Sequence, residues 1–243
     1  MYDSPRFLNA GDTAFVVELG DSISPECNRK VHTLVKALDS REIPGIVDIV
    51  PTYRSLLVQY DPLRVGLKDL KGIVLELEKT IDEGHTIKPR IVKVPTLYGG
   101  DHGPDMQFVA ENAGVTPEEV IKIHSETDYL VYMMGFTPGF PYLGGLSKKL
   151  VTPRLKTPRT KIPAGSVGIA ESQTGVYPQE SPGGWRLIGR TPLRLFDPRR
   201  APPSLISAGD IVRFTPITQV EYDSLHETVK KGEFQVSSVV SEQ

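Results

Sequence analysis

Eight polar or aromatic side chains in a glycine- and proline-rich stretch carry most of the chemistry this chain can offer: Arg159, Gln173, Thr174, Tyr177, Gln179, Ser181, Trp185 and Arg190. Each arginine presents a planar fork that suits a carboxylate or a phosphate. Gln173 and Tyr177 stand four residues apart around Thr174-Gly175, and a turn there would aim both into one cleft. The run Ser181-Pro182-Gly183-Gly184 can expose successive backbone N–H groups as an anion-binding nest. Trp185 can wall a flat ligand. Ser166 ends Pro163-Ala164-Gly165-Ser166, which looks like a nucleophile turn. No histidine follows it before His226, so a Ser-His-Asp arrangement is poorly supported and Ser166 also reads as a strand start. Each candidate has a structural reading as well: Arg190 tying down a turn, Trp185 in the core, Tyr177 packing. We expect catalytic work from Arg159, Gln173, Tyr177 and Arg190, and substrate contacts from Ser166, Thr174, Ser181, Gly183, Gly184 and Trp185. Phe136, Pro138, Phe140 and Tyr142, in GFTPGFPYL (135–143), read either as a hydrophobic groove for a partner or as a core plug.

All of these lie in residues 135–198, which hold 9 of the chain's 21 prolines and 10 of its 22 glycines. Such a composition can mark a disordered linker. Here the apolar runs SVGIA (166–170), WRLIG (185–189) and LRLF (193–196) interrupt it, and point instead to rigid loops held against a small sheet. The same stretch has nine Lys and Arg against three acids, a surplus of +6 in a chain whose net charge is −2. That surplus suggests an anionic ligand. Nucleic acid is disfavoured by a pI near 6.2 and the lack of a basic, aromatic-interleaved motif. P-loop, GxGxxG, HExxH, GxSxG and CxxC motifs are absent, and no metal-ligand spacing is present. His102, beside Asp101 and Asp105, reads as a solvated loop residue.

The remaining elements must position this stretch. In 243 residues there is room for one large or two small domains. The start, MYDSPRFLNAGD, has no basic-then-apolar signal pattern and no run is long enough to span a membrane. The lone Cys27 permits no internal disulfide, fits a reducing, cytoplasmic setting and reads as an inert half-buried thiol. TAFVVEL (13–19), GIVDIVPT (45–52), SLLVQY (55–60) and RIVKVP (90–95) read as strands. Ser24-Pro25 starts a helix with Val31, Leu34, Val35 and Leu38 on one face. A second helix carries Leu67, Leu70, Val74, Leu77 and Ile81, with Gly84 as its stop. That order, β-α-β-β-α-β, is ferredoxin-like, and we place this domain at 1–90. Residues 91–230 read as a β-barrel with few helices. Two of those helices begin with capping boxes, at Thr116 and Thr218. His124 falls at a helix end, where a cation suits the dipole. Val220, Leu225 and Val229 give the last helix an apolar side, 231–243 follows as a C-terminal tail, and QVSSVVSEQ (235–243) within it is expected to fray. The fold class is α+β.

The strings GFTPGFPYL (135–143), PAGSVGIA (163–170), QTGVYPQESPGGW (173–185) and IGRTPLRLFDP (188–198) resemble the family variously called kinase A inhibitor, 5-oxoprolinase B-subunit and allophanate hydrolase subunit 1. The resemblance covers about residues 5–225. It implies that the barrel is cyclophilin-like, and that the chain is one subunit of an ATP-dependent lactam hydrolase, inactive alone. The complex would turn 5-oxoproline, ATP and water into glutamate, ADP and phosphate. The implied partners are a companion barrel subunit and a further oxoprolinase subunit, with ATP as substrate. Two alternatives follow from the same resemblance: a regulator that inhibits a sporulation histidine kinase through the aromatic groove, and a carboxyltransferase-type or allophanate hydrolase-related subunit. Peptidyl-prolyl isomerase chemistry would rest on fold analogy alone.

Overall fold

The computed structural model describes residues 1–80 and 89–242. The chain divides into two compact units, Met1–Lys88 and Pro89–Gln243.

The first unit is a four-stranded antiparallel sheet with two helices. Its elements are β1 (Arg6–Asn9), β2 (Ala14–Glu18), α1 (Pro25–Ser40), β3 (Ile46–Pro51), β4 (Ser55–Tyr60) and α2 (Leu67–Thr80). Ser24 caps α1 by accepting from the Cys27 N–H, and Pro25 occupies the first helical turn, where a missing N–H costs nothing. Val31, Leu34 and Leu38 of α1 and Leu70 and Val74 of α2 pack on Phe15, Val17, Leu56 and Val58 of the sheet. Ile81 and Gly84 lie outside the described residues. Sheet order is β1-β2-β4-β3. β4 therefore sits between the two strands joined by α1, as a split βαβ requires. The expected fourth strand is the correction. The edge position beside β2 is filled by β1, an N-terminal strand, and residues 90–95 belong to the second unit.

That second unit is mixed α/β around a closed barrel. Its elements are β5 (Arg90–Tyr98), α3 (Met106–Ala113), α4 (Pro117–Ser125), β6 (Tyr129–Met134), β7 (Pro141–Gly144), β8 (Arg159–Ile162), β9 (Ser166–Ala170), β10 (Gln173–Val176), β11 (Ser181–Gly183), β12 (Arg186–Arg190), β13 (Ile211–Pro216), α5 (Gln219–Lys231) and β14 (Val240–Glu242). Seven strands run in the order β12-β9-β10-β7-β6-β13-β5, and the ring closes where Gly189 and Arg190 of β12 pair with Tyr98 and Leu97 of β5. β5 is drawn into this barrel because six of its residues pair in parallel with β13, while Val92, Val94 and Thr96 point into the interior. The core also takes Val131, Val167, Ile169, Ile188, Val212 and Phe214. Residues 240–242, expected to fray, instead pair with the first three residues of β5, which supplies a free edge there. LRLF (193–196) buries Leu193 and Leu195 without forming a strand beyond a single bridge at Phe196.

His124 is structural, but it is not a cation at a helix end. Its ring is fully buried, with Nδ1 2.8 Å from the Tyr98 hydroxyl and Nε2 2.8 Å from the Thr174 hydroxyl. Burial pushes its pKa down to about 3, so it stands neutral. On α5, Thr218 and Glu221 form the expected capping box. The buried side chain of that helix is Tyr222, whereas Val220 points to solvent.

Candidate functional site

The glycine- and proline-rich stretch builds three distinct features on the barrel unit. The first is an aromatic cluster. Phe136 sits at φ 63° in a turn closed by Thr137 N–H donating to the Gly135 carbonyl at 2.7 Å, and Gly139 at φ 82° in the next turn, closed by Phe140 N–H donating to the Thr137 carbonyl at 3.0 Å. Left-handed backbone is costly for a phenylalanine, and it holds Phe136 outward, 65% exposed. Phe140 is buried beneath it. Its ring makes edge contacts with Phe136, Tyr142, Tyr177 and Trp185 at centroid separations of 5.4 to 5.8 Å. The structure thus joins the expected partner groove to the expected ligand wall. Trp185 is only 7% exposed and Tyr177 is buried, with desolvation raising its hydroxyl pKa to about 12. Gly183 is required against this cluster, because a Cβ there would lie 2.5 Å from the Tyr177 hydroxyl oxygen.

The second feature is an ion network behind the cluster. From β8, Arg159 reaches Asp105, Nη2 to Oδ1 at 3.0 Å, and donates Nη1 to the Trp185 carbonyl. Asp105 accepts the Leu187 N–H on Oδ2 at 2.7 Å, while its own N–H donates to the Leu187 carbonyl at 2.9 Å. Arg186 joins at 3.7 Å, its guanidinium resting 3.6 Å from the Phe108 ring centroid. The fork of Arg159 is therefore directed at an internal carboxylate.

The third feature is an open cleft of about 370 Å³ between the end of β12 and helix α5. Arg190 stands at its wall. Its Nε donates to the Ala164 carbonyl at 2.9 Å. Gly165, at φ 83°, makes this possible: its N–H donates to the Tyr177 carbonyl and its carbonyl accepts from the Thr191 N–H. A Cβ at Gly165 would lie 2.2 Å from the Thr191 carbonyl oxygen. Tyr222 and His226, one turn apart on α5, stack along the helix side of the cleft, their ring centroids 6.0 Å apart and nearly parallel, and the His102 ring lies 4.8 Å from Tyr222. Burial raises the Tyr222 hydroxyl pKa against the opposing pull of Arg190, and lowers that of His102 with Arg190 adding to the effect. Arg194 and Lys230 complete the basic lining.

Other expected residues are placed elsewhere. Thr174-Gly175 lies in extended strand β10, not in a turn, so Gln173 and Tyr177 are roughly 13 Å apart along the chain. Gln173 is half-buried at the start of that strand. The Thr174 hydroxyl is buried, donating to the Gly168 carbonyl at 3.0 Å. Ser166 is buried as the first residue of β9. Ser181 and Gly183 pair with β8, which uses the backbone groups expected to form a nest. Gly184 is buried and accepts from the Leu155 N–H. Pro138 is exposed and Tyr142 half-buried. Among the described residues no group of three or more His, Cys, Asp or Glu could hold a metal ion, and no helix is long and apolar enough to cross a membrane.

The family pattern described as "Carboxyltransferase domain, subdomain C and D" matches residues 5–206. A 5-oxoprolinase B-subunit from Bacillus subtilis is 44% identical over 227 residues, covering 89% of this chain and 95% of its own length. Its counterpart from Haemophilus influenzae is 43% identical over 205 residues, covering 84% of this chain and 93% of its own length. The chain belongs to the carboxyltransferase C and D subdomain family, alongside these 5-oxoprolinase subunits. Among solved structures, TTHA0988 superposes with a TM-score of 0.74 at 37% identity over 84% of this chain, which spans 40% of that longer one.

Within this family member, sequence reasoning did not single out Asp105, Arg194, Tyr222, His226 and Lys230. Asp105 entered the sequence reading only as a neighbour of His102 in a loop, and its side chain makes no cap bond to α3 because it turns to β12 instead. Tyr222 and His226 did carry a signal, since their i, i+4 spacing puts both on one face of a helix that the capping box at Thr218 predicts.

Proposed function

We propose that this chain is one subunit of an ATP-dependent 5-oxoprolinase that hydrolyses 5-oxoproline to glutamate with conversion of ATP to ADP and phosphate. The observation that carries the reading is its match to 5-oxoprolinase B-subunits over nearly their whole length. A lactam is a poor electrophile. Transfer of the γ-phosphoryl group to its carbonyl oxygen activates the carbonyl carbon; one water adds there and expels the ring nitrogen as the amine, leaving an acyl phosphate, and a second water cleaves that to the carboxylate and phosphate. Substrate, product and nucleotide are all anions, which the cationic cleft at Arg190 suits. The separated features on this chain fit a site completed by a companion barrel subunit and a further subunit. The chain would then be inactive alone and work in the cytoplasm. Phe136 and Pro138, held outward by a strained turn, are the natural contact for a companion. We take the N-terminal unit as a ferredoxin-like variant whose last strand is replaced by β1. We take the barrel as cyclophilin-like, with the boundary near residue 90.

The test is ATP-dependent turnover of 5-oxoproline by this chain with and without its companion subunits. Turnover in the mixture alone is expected, with a loss of at least tenfold in Arg190→Gln. An absence of turnover in every combination, with the companions folded and bound, would refute the reading.

A further inference from the structure

We propose that the cleft between the end of β12 and α5 is a binding site for a small anion, a carboxylate or a phosphate, held chiefly by Arg190. The binding claim stands on this chain alone; only the identity of the ligand rests on the proposed function. Three cations line the cleft, Arg190, Arg194 and Lys230, against one carboxylate, Glu180. Glu180 is engaged by Lys161 at 3.0 Å. Lys230 meets Glu227 only at 3.9 Å, and Arg194 shares Asp197 with Arg199. Exposed pairs of this kind are weak and can give way to a ligand. The field in the cleft is therefore positive, and an anion entering it gains more than it disturbs.

Arg190 is built for the role more firmly than a surface arginine. It is half-buried. Its Nε is fixed on the Ala164 carbonyl, which in turn is held by the Gly165 turn between β8 and β9. No carboxylate pairs with it among the described residues. With Nε tethered, the two terminal amino groups are left as a fork, and a two-pronged donor matches the two oxygens of a carboxylate or phosphate. The fork is oriented before the ligand arrives, so little side-chain entropy is lost on binding. The stacked Tyr222 and His226 rings add a flat wall with polar edges. The cleft, at about 370 Å³, has room for an amino-acid-sized anion.

The experiment is a titration of the 15N-labelled chain with 5-oxoproline and, separately, with inorganic phosphate, following backbone amides. Saturable shifts are expected at Gly165, Thr191 and Tyr222 with at least one of the two anions. A response to 5-oxoproline alone would support the proposal and identify a carboxylate ligand, and a response to phosphate alone would support it and identify a phosphoryl ligand. Arg190→Gln should weaken binding at least about tenfold, and Arg190→Lys, which keeps charge but loses the fork, should also weaken it. Lys230→Gln and Arg194→Gln alter exposed side chains and serve if the Arg190 variants misfold; each should weaken binding severalfold. Lys149→Gln, on a surface 3-10 turn away from the cleft, should bind as the parent does. No saturable shift with either anion, or binding indifferent to all the cleft variants, would overturn the proposal. Turnover missing in the reconstituted mixture while these shifts persist would instead count against the oxoprolinase reading.

Discussion

Replacing Asp105 should destabilise the barrel unit more than replacing any surface acid, and its contacts give the size of the effect. In Asp105→Ala the Leu187 N–H loses its 2.7 Å acceptor inside the protein, at a cost of about 1–3 kcal/mol. Arg159 and Arg186 lose their shared carboxylate. Breaking a fully buried pair costs roughly 3–5 kcal/mol, but the Arg159 side chain is 29% exposed and water compensates part of this. The two losses overlap in one carboxylate, and we expect a total of about 3 kcal/mol. With a urea slope of about 2 kcal/mol/M, the midpoint should fall by about 1.5 M. Trp185 is the chain's single tryptophan, and its carbonyl accepts from Arg159, so its fluorescence reports this unit and this network selectively. Asp105→Asn keeps an acceptor for the Leu187 N–H and removes the charge, so it should lose about half as much. A loss below about 1 kcal/mol in Asp105→Ala would mean that Arg159 is not held by this carboxylate in solution. It would return Arg159 to the pool of ligand-binding cations.

Two further outcomes follow from buried titratable groups. Because burial lowers the His124 pKa from its ordinary 6.5 to about 3, the unfolded chain binds more protons than the folded one between those values. Stability should therefore fall by roughly 1.4 kcal/mol for each pH unit below 6.5, and urea midpoints measured from pH 7 to 4 should show that component missing in His124→Gln; equal slopes in the two proteins would refute the assignment. Cys27 is buried and desolvation raises its thiol pKa, so a thiol reagent should label it only in denaturant, and rapid labelling of the native chain would contradict the packing of α1.

Elements with strong local periodicity were legible in the sequence. IVRFTP is β13 residue for residue, and the caps at Ser24, Thr116 and Thr218 stand where side-chain chemistry puts them. What failed was whatever depends on a partner far along the chain. RFLN has no apolar alternation and becomes a strand only because β2 offers an edge, and residues 240–242 do the same on β5. The site shows the same division more sharply. Arg159 and Arg190 both sit in strands of the same glycine- and proline-rich stretch, and nothing local separates them. Arg159 meets Asp105, 54 residues away, and is consumed by the fold; Arg190 donates to a carbonyl 26 residues away, meets no carboxylate among the described residues, and keeps its charge for something else. The surplus of +6 in 135–198 thus overstates what a ligand can use. Arg159 and Arg186 neutralise Asp105, Lys161 faces Glu180, and Arg194 leans on Asp197. Lys148, Lys149, Arg154 and Lys156 are exposed on loops and on a 3-10 turn, outside the cleft lining. Among the nine cations, Arg190 alone combines a position on the cleft wall with freedom from any carboxylate among the described residues, and a substitution there should be felt by any anion this chain binds.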